Sequence, residues 1–182
     1  MVSAQEHPVA PGTASPSASR QREGEVEPPL FTLFIPTFNR AHLLPRALAS
    51  IEAQTCRDFE VVIVDDGSTD GTADLIQDWQ RRVDFPVVYR WQENQGKYAA
   101  HNLGVELGRG RFFFLLDSDD RLLPQTLERL LYHWETIPPA ERQRFAGVEG
   151  LIESLDGQRL LTHPYPQSPL DVSFLDLQYR LG

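Results

Sequence analysis

The chain has 182 residues, 41% of them hydrophobic and 24% charged, which is enough for one domain with a proper core. Its formal net charge of −9 argues against non-specific nucleic-acid binding, which needs a basic surface. The single cysteine, Cys56, rules out an intramolecular disulfide and suits a reducing compartment, no stretch approaches the ~20 apolar residues of a membrane span, and the N-terminus has no apolar signal region.

Residues 1–29 are rich in Pro, Ser, Ala, Glu and Gln and nearly free of large apolar side chains. Such a segment buries too little surface to offset its ordering entropy and reads as a disordered tail ahead of a domain spanning 30–182. Leu30 to Pro36 reads as a first buried strand. Pro36-Thr37-Phe38-Asn39-Arg40 breaks it, and Asn39 is placed to cap a helix over Ala41–Ala53, whose Leu44, Ala47, Leu48 and Ile51 recur at helical spacing and whose Pro45 is tolerated in the first turn.

Phe59 to Val64 is a second buried strand, ending in Asp65-Asp66-Gly67-Ser68-Thr69-Asp70-Gly71. Gly67 and Ser68 predict a tight turn, and Asp70 or Thr72 a cap for the helix carrying Leu75, Ile76 and Trp79. A shorter strand, Val87–Trp91, precedes the loop Gln92–Lys97 and a helix over Tyr98–Leu107, which Gly108-Arg109-Gly110 ends. The run Phe112 to Leu116 reads as a strand buried on both faces and stops at Asp117-Ser118-Asp119-Asp120. Pro124 then opens a helix with Leu127, Leu130, Leu131 and Trp134 on one face.

Four strand–helix units in succession predict a mostly parallel sheet flanked by helices, with right-handed crossovers. Such sheets bind ligands beyond the carboxyl ends of their strands. Thr37–Asn39, Asp65–Asp66, Gly96–Lys97 and Asp117–Asp120 all fall there. Crowded carboxylates at a strand end call for a positive partner, and a hard divalent cation, Mg²⁺ or Mn²⁺, takes oxygen ligands and bridges to phosphate. Asp117 and Asp119, two apart, are the candidate ligands, and Lys97 adds a cation suited to a diphosphate. The plain alternative is a loop of solvated acids capping the next helix. Asp66, on its turn, is either a helix-capping acid or an acceptor for a base or a ribose.

Four pieces of sequence resemble the family 2 glycosyltransferases: Phe34 to Arg40, Ile63 to Thr72, Asn94-Gln95-Gly96-Lys97-Tyr98-Ala99-Ala100-His101-Asn102-x-Gly104, and Leu116 to Asp120. They come in the family's order, over about Phe31 to Trp134. The resemblance implies a GT-A, Rossmann-like nucleotide-binding fold and inverting transfer from a nucleotide-diphospho-sugar to a saccharide, lipid or other acceptor. It implies that Pro36, Thr37 and Asn39 line the nucleotide pocket and that Asp66 binds the base, uracil for a UDP-sugar. Lys97 would lie near the nucleotide or diphosphate, Asp117 would face ribose or metal, and Asp119 would be the main ligand of the divalent metal. A cytoplasmic protein, at most peripheral at the inner face of a membrane, fits this reading. His101 stands where many members carry Arg and is read as a packed helix residue.

After Pro139 the pattern changes: Asp156-Gly157 signals a hairpin between Phe145–Leu155 and Gln158–Leu161, and Asp171–Leu181 a short helix. Inverting displacement needs a general base within hydrogen-bond reach of the acceptor. No later segment reproduces the family's acidic motif, although Glu149, Glu153, Asp171 and Asp176 are available. The expectation is therefore a donor-binding half whose base is missing, in which donor binding and group transfer come apart. Two other functions compete: a nucleotidyltransferase, disfavoured by the lack of glycine in Pro36–Arg40, and a non-catalytic nucleotide-sugar-binding module.

Overall fold

A computed structural model describes residues 27–148. The element order is β1 (Phe31–Thr37), α1 (Leu44–Glu52), β2 (Phe59–Asp65), α2 (Thr72–Gln80), β3 (Val87–Trp91), α3 (Lys97–Leu107), β4 (Phe112–Leu115) and α4 (Thr126–Thr136), followed by a 3₁₀ turn at Arg142–Arg144. The four strands form one parallel sheet in the order β3-β2-β1-β4. The expected α/β architecture, a parallel sheet flanked by helices, is what the chain adopts. Residues 145–148 form no regular element, and the rest of the expected hairpin and the late helix lie outside the described residues, as does most of the expected tail.

The central pair, β1 and β2, explains the helices on both faces. Leu33, Ile35, Val61 and Ile63 point to one side, against Leu44, Leu48 and Ile51 of α1, Ile76 and Trp79 of α2, and Leu127 of α4. Phe34, Val62 and Val64 point to the other, against Ala100, Leu103 and Leu107 of α3. Strands buried on both faces carry continuous apolar runs because no face is left for polar residues. Gly104 lets α3 lie this close, since a Cβ there would sit 2.2 Å from the Phe34 ring.

The structure corrects three local expectations. β4 is not buried on both faces: Phe113 and Leu115 are each 43% exposed, while Phe112 and Phe114 face the core. Among the described residues β4 lies at the sheet edge, with Phe113 and Leu115 on its more exposed face and Phe113 beside the Phe34 ring. α1 starts at Leu44 rather than Ala41, with Leu43 at its N-cap, and Asn39 does not cap it. Gly108 closes α3 in extended rather than left-handed conformation. Its smallness matters instead, because a Cβ at Gly108 would meet Thr32 at 2.9 Å and one at Gly110 would lie 2.4 Å from the Thr32 amide nitrogen.

That close approach is part of an anchor at the amino ends of the strands. Glu60 of β2 is fully buried. It accepts hydrogen bonds from Thr32 Oγ1 (2.8 Å), from the Arg109 backbone N–H and from Arg109 Nε and Nη2 (3.0 and 2.7 Å), while Gly110 N–H donates to Thr32 Oγ1 (2.8 Å). Burial pushes the Glu60 carboxyl up, but the bonds from Arg109 and Thr32 together outweigh it and hold it below the ordinary glutamate value. A depressed carboxylate contributes stability that is complete above its unfolded value and is lost as pH falls through its folded one. Glu60→Gln should therefore cost about 2 kcal/mol at neutral pH, since Arg109 loses its charged acceptor, and should flatten the acid side of the stability curve. Urea melts of both proteins between neutral pH and the acid range check this, and equal stability at neutral pH would show that the anchor contributes nothing.

Candidate functional site

The strand order reverses between β1 and β4, and an α/β sheet opens its crevice at such a point. A cleft of about 400 Å³ lies there. It is lined by Pro36, Thr37, Phe38 and Arg40 after β1, Asp66 after β2, Asn94, Gly96, Lys97 and Ala100 around the start of α3, and Asp117, Ser118 and Asp119 after β4. Of the residues expected at a nucleotide or metal site, Pro36, Thr37, Asp66, Lys97, Asp117 and Asp119 thus share one cavity. Asn39 is not among its lining residues. Its side chain accepts from Thr69 N–H (2.8 Å) while its own N–H donates to Ser68 Oγ (2.8 Å), so it ties the loop after β1 to the loop after β2. Its φ of 52° is a left-handed conformation that Asn tolerates better than most side chains.

Asp70 adds one more bond between these loops and two on its own side. Asp70 accepts from Ala41 N–H (3.1 Å), Thr72 N–H (3.2 Å) and the Thr72 hydroxyl. The hydroxyl bond is the main reason its carboxyl lies below the ordinary aspartate value. Gly71 takes the N-cap of α2 at φ 85°, so the expected acidic contribution comes from the residue just before the cap.

Asp65 and Asp66 organise the interior of the site. Both are buried. Asp65 accepts from Ser68 N–H (2.8 Å) and Tyr89 O–H (2.9 Å), and burial, then this bond, pushes the Tyr89 phenol far up. Asp66 accepts from Gln92 Nε2 (2.7 Å), Gln95 N–H (2.9 Å) and Gly96 N–H (2.8 Å). It therefore shapes the loop that delivers Lys97, a task beyond either sequence-based reading of this residue. Gly67, at φ 91°, turns the chain here, and a Cβ on it would lie 3.0 Å from the Asn94 amide nitrogen.

The acids after β4 are held differently. Asp117 pairs with Lys97 Nζ at 3.3 Å and Asp119 with Arg40 Nη1 at 3.6 Å, all four side chains being substantially exposed. Arg46 of α1 donates to the Asp119 carbonyl, and Asp120 N–H closes the turn on the Asp117 carbonyl (2.9 Å). Burial, then the charges of Asp119 and Asp117, push the Asp120 carboxyl up against the opposing pull of Arg46. Among the described residues no three His, Cys, Asp or Glu side chains group as a protein-only metal site. Two cleft-facing carboxylates nonetheless fit Mg²⁺ or Mn²⁺, which are commonly held by one or two carboxylates, with phosphate oxygens and water completing the shell. Thr37 Oγ1, buried in the same cleft, has no hydrogen-bond partner among the described residues, nor does His101 Nε2, whose ring packs edge-on to Phe34. The sequence reading missed Phe38 and Arg40 as lining residues, although both stand inside the motif that ends β1.

The switch-point cleft of this parallel sheet thus gathers two cations, paired acids and a hydroxyl without a partner among the described residues, an α/β arrangement able to take an anionic ligand. The family described as Glycosyl transferase family 2 matches residues 32–150. The chain belongs to that family, which sets the nucleotidyltransferase reading aside. It is 43% identical over 94 residues to a PGL/p-HBAD biosynthesis glycosyltransferase of Mycobacterium bovis, covering 52% of this chain and 37% of that one. It is 36% identical over 105 residues to the GalNAc(5)-diNAcBac-PP-undecaprenol beta-1,3-glucosyltransferase of Campylobacter jejuni, covering 57% and 34%. The fold matches S. aureus TarS 1-349 in complex with UDP-GlcNAc, with a TM-score of 0.54 and 27% identity over 58% of this chain and 31% of the TarS 1-349 chain. The chain thus spans little more than a third of the curated relatives it matches. No helix among the described residues is long and apolar enough to cross a membrane.

If Asp66 shapes the loop before α3, Asp66→Asn should loosen it without unfolding the sheet. An amide cannot accept at both of its ends, so at least one of the bonds from Gln95 and Gly96 must weaken. Hydrogen exchange should quicken at Gln95 and Gly96, by about tenfold for the loss of one charged bond, while β1 and β2 keep their protection. Unchanged exchange in this loop would remove the organising role.

Proposed function

We propose that this chain carries the nucleotide-sugar donor site of an inverting, metal-dependent glycosyltransferase, with a UDP-sugar as donor and a saccharide, lipid or other molecule as acceptor. The observation that carries this reading is the gathering of Thr37, Asp66, Lys97, Asp117 and Asp119 into one cleft at the switch point of the sheet. Family membership supports the reaction class, and the complex of TarS with UDP-GlcNAc supports a uridine donor.

Each residue then has a chemical task. Asp66 has acceptor capacity for about four hydrogen bonds and uses three on the loop between β3 and α3, so one remains for a base N–H. Thr37 Oγ1 offers an unused hydroxyl to the nucleotide. Lys97, at the first turn of α3, meets the diphosphate where the helix N-terminus also favours negative charge. Asp117 and Asp119 would hold the divalent cation, Asp117 within reach of the ribose as well. When bound, that cation neutralises the charge of the diphosphate leaving group. Inversion is what direct displacement at the anomeric carbon implies. The acidic residues Glu149, Glu153, Asp171 and Asp176 lie outside the described residues.

Two substitutions test the division of labour. Asp119→Asn should weaken UDP binding by at least about tenfold, roughly 1.4 kcal/mol, when Mn²⁺ is present and leave metal-free binding unchanged. Asp66→Ala should weaken UDP binding with and without Mn²⁺, because its partner is the base. Calorimetric titration measures both, and the same metal dependence in the two variants would show that the roles are wrongly divided.

A further inference from the structure

We infer that Arg40 is an exchangeable counter-cation of the donor cleft: it neutralises Asp119 while the cleft is empty and moves to the donor's diphosphate oxygens when a divalent cation takes Asp119. This rests on the donor-site reading above and adds to it a residue that reading leaves without a task.

The backbone of Arg40 is fixed. Its N–H donates to Thr72 Oγ1 (3.3 Å), and its carbonyl accepts from Leu43 and Leu44 N–H (both 2.9 Å) at the start of α1. Its guanidinium is not. The contact with Asp119 is 3.6 Å long, and the two side chains are 43% and 49% exposed. Exposed pairs of this kind are weak and easily exchanged. The acid loop does not depend on the pair, because Arg46 holds it through the Asp119 carbonyl.

Charge favours the exchange. Two acids of the cleft, Asp117 and Asp119, face two bases, Lys97 and Arg40. A divalent cation that entered alone would have to displace both bases and leave their charges uncompensated. A nucleotide-sugar diphosphate carries two negative charges, so cation and donor entering together leave the cleft balanced again, with each base free to turn to phosphate. The planar guanidinium suits that partner, since its fork matches two phosphate oxygens. Thr37 Oγ1, buried and unpartnered in the same cleft, is an independent sign that this end of β1 faces a polar ligand.

The test is calorimetric titration of the full chain with Mn²⁺ alone and with UDP at saturating Mn²⁺. Arg40→Gln should bind Mn²⁺ alone about two- to fivefold more tightly, because the competing internal cation is gone. It should bind UDP with Mn²⁺ about tenfold more weakly, because a charge-assisted phosphate contact is lost. A purely structural role would move both affinities the same way and lower the melting temperature. Arg81→Gln makes the same charge change at the exposed Arg81–Asp78 pair of the α2 end and should alter neither affinity. Mn²⁺ binding no tighter than wild type, or undiminished UDP binding, overturns the inference alone. A wild-type chain that binds neither Mn²⁺ nor UDP overturns the donor-site reading as well. Should Arg40→Gln unfold, Arg40→Lys decides the matter. It keeps the charge and loses the fork, so near-normal Mn²⁺ affinity with about threefold weaker UDP binding supports the exchange, and normal UDP binding overturns it.

Discussion

The two carboxylates that close β2 hold the upper half of the molecule together. Asp65 and Asp66 are buried, and acids in that position are tolerable only when their oxygens are occupied. Their partners come from the turn after β2, from β3 and from the loop before α3. Through the Asp66 N–H, which donates to the Thr37 carbonyl, the end of β1 joins the same network. Three loops from three strand–helix units are thus fixed to one point, and the cleft takes its shape from that point more than from any lining side chain.

The opposite end of the sheet uses the same device for another purpose. Glu60 is as buried as Asp65, and its partners are Thr32 on β1 and Arg109 on the turn into β4. It fixes where β4 begins and therefore where the strand delivers Asp117 and Asp119 at its far end. Because β4 is short and at the edge, with only four residues paired to β1, its register depends on this contact more than that of β2, which pairs over seven.

Much of this was legible in the residues themselves. The apolar runs of β1 and β2 show burial on both faces, since the pattern is local and no polar alternation competes with it. The polar clusters identify the end of the sheet where the cleft opens, because topology alone carries strand ends to one side. The burial expected of β4 fails because Phe112 to Leu116 is as apolar as a central strand, and edge position depends on the order of strands rather than on composition. Asn39 follows a strand and precedes a helix, which is cap chemistry, yet its partner is Thr69 on another loop. The partners of Arg40 and Arg46 left no signal, since an ion pair or a side-chain bond to a distant carbonyl leaves no local pattern. Gly108 and Gly110 look like helix punctuation and are instead places where another backbone passes.

The acids that shape the strand ends divide into two physical kinds. Asp65, Asp66, Asp70 and Glu60 accept from backbone N–H groups as well as side chains, and such donors cannot leave without local unfolding. Asp117 and Asp119 face the ends of long, exposed side chains that change rotamer at little cost. Only acids of the second kind can give up their partners to an incoming cation. Asp120 shows why partners are needed: with no equally close base, its carboxyl feels burial and both neighbouring charges and is pushed up. A rigid cleft built by the first kind and a replaceable set of charges carried by the second are what a site needs if it is to bind a charged donor tightly and later release a charged product.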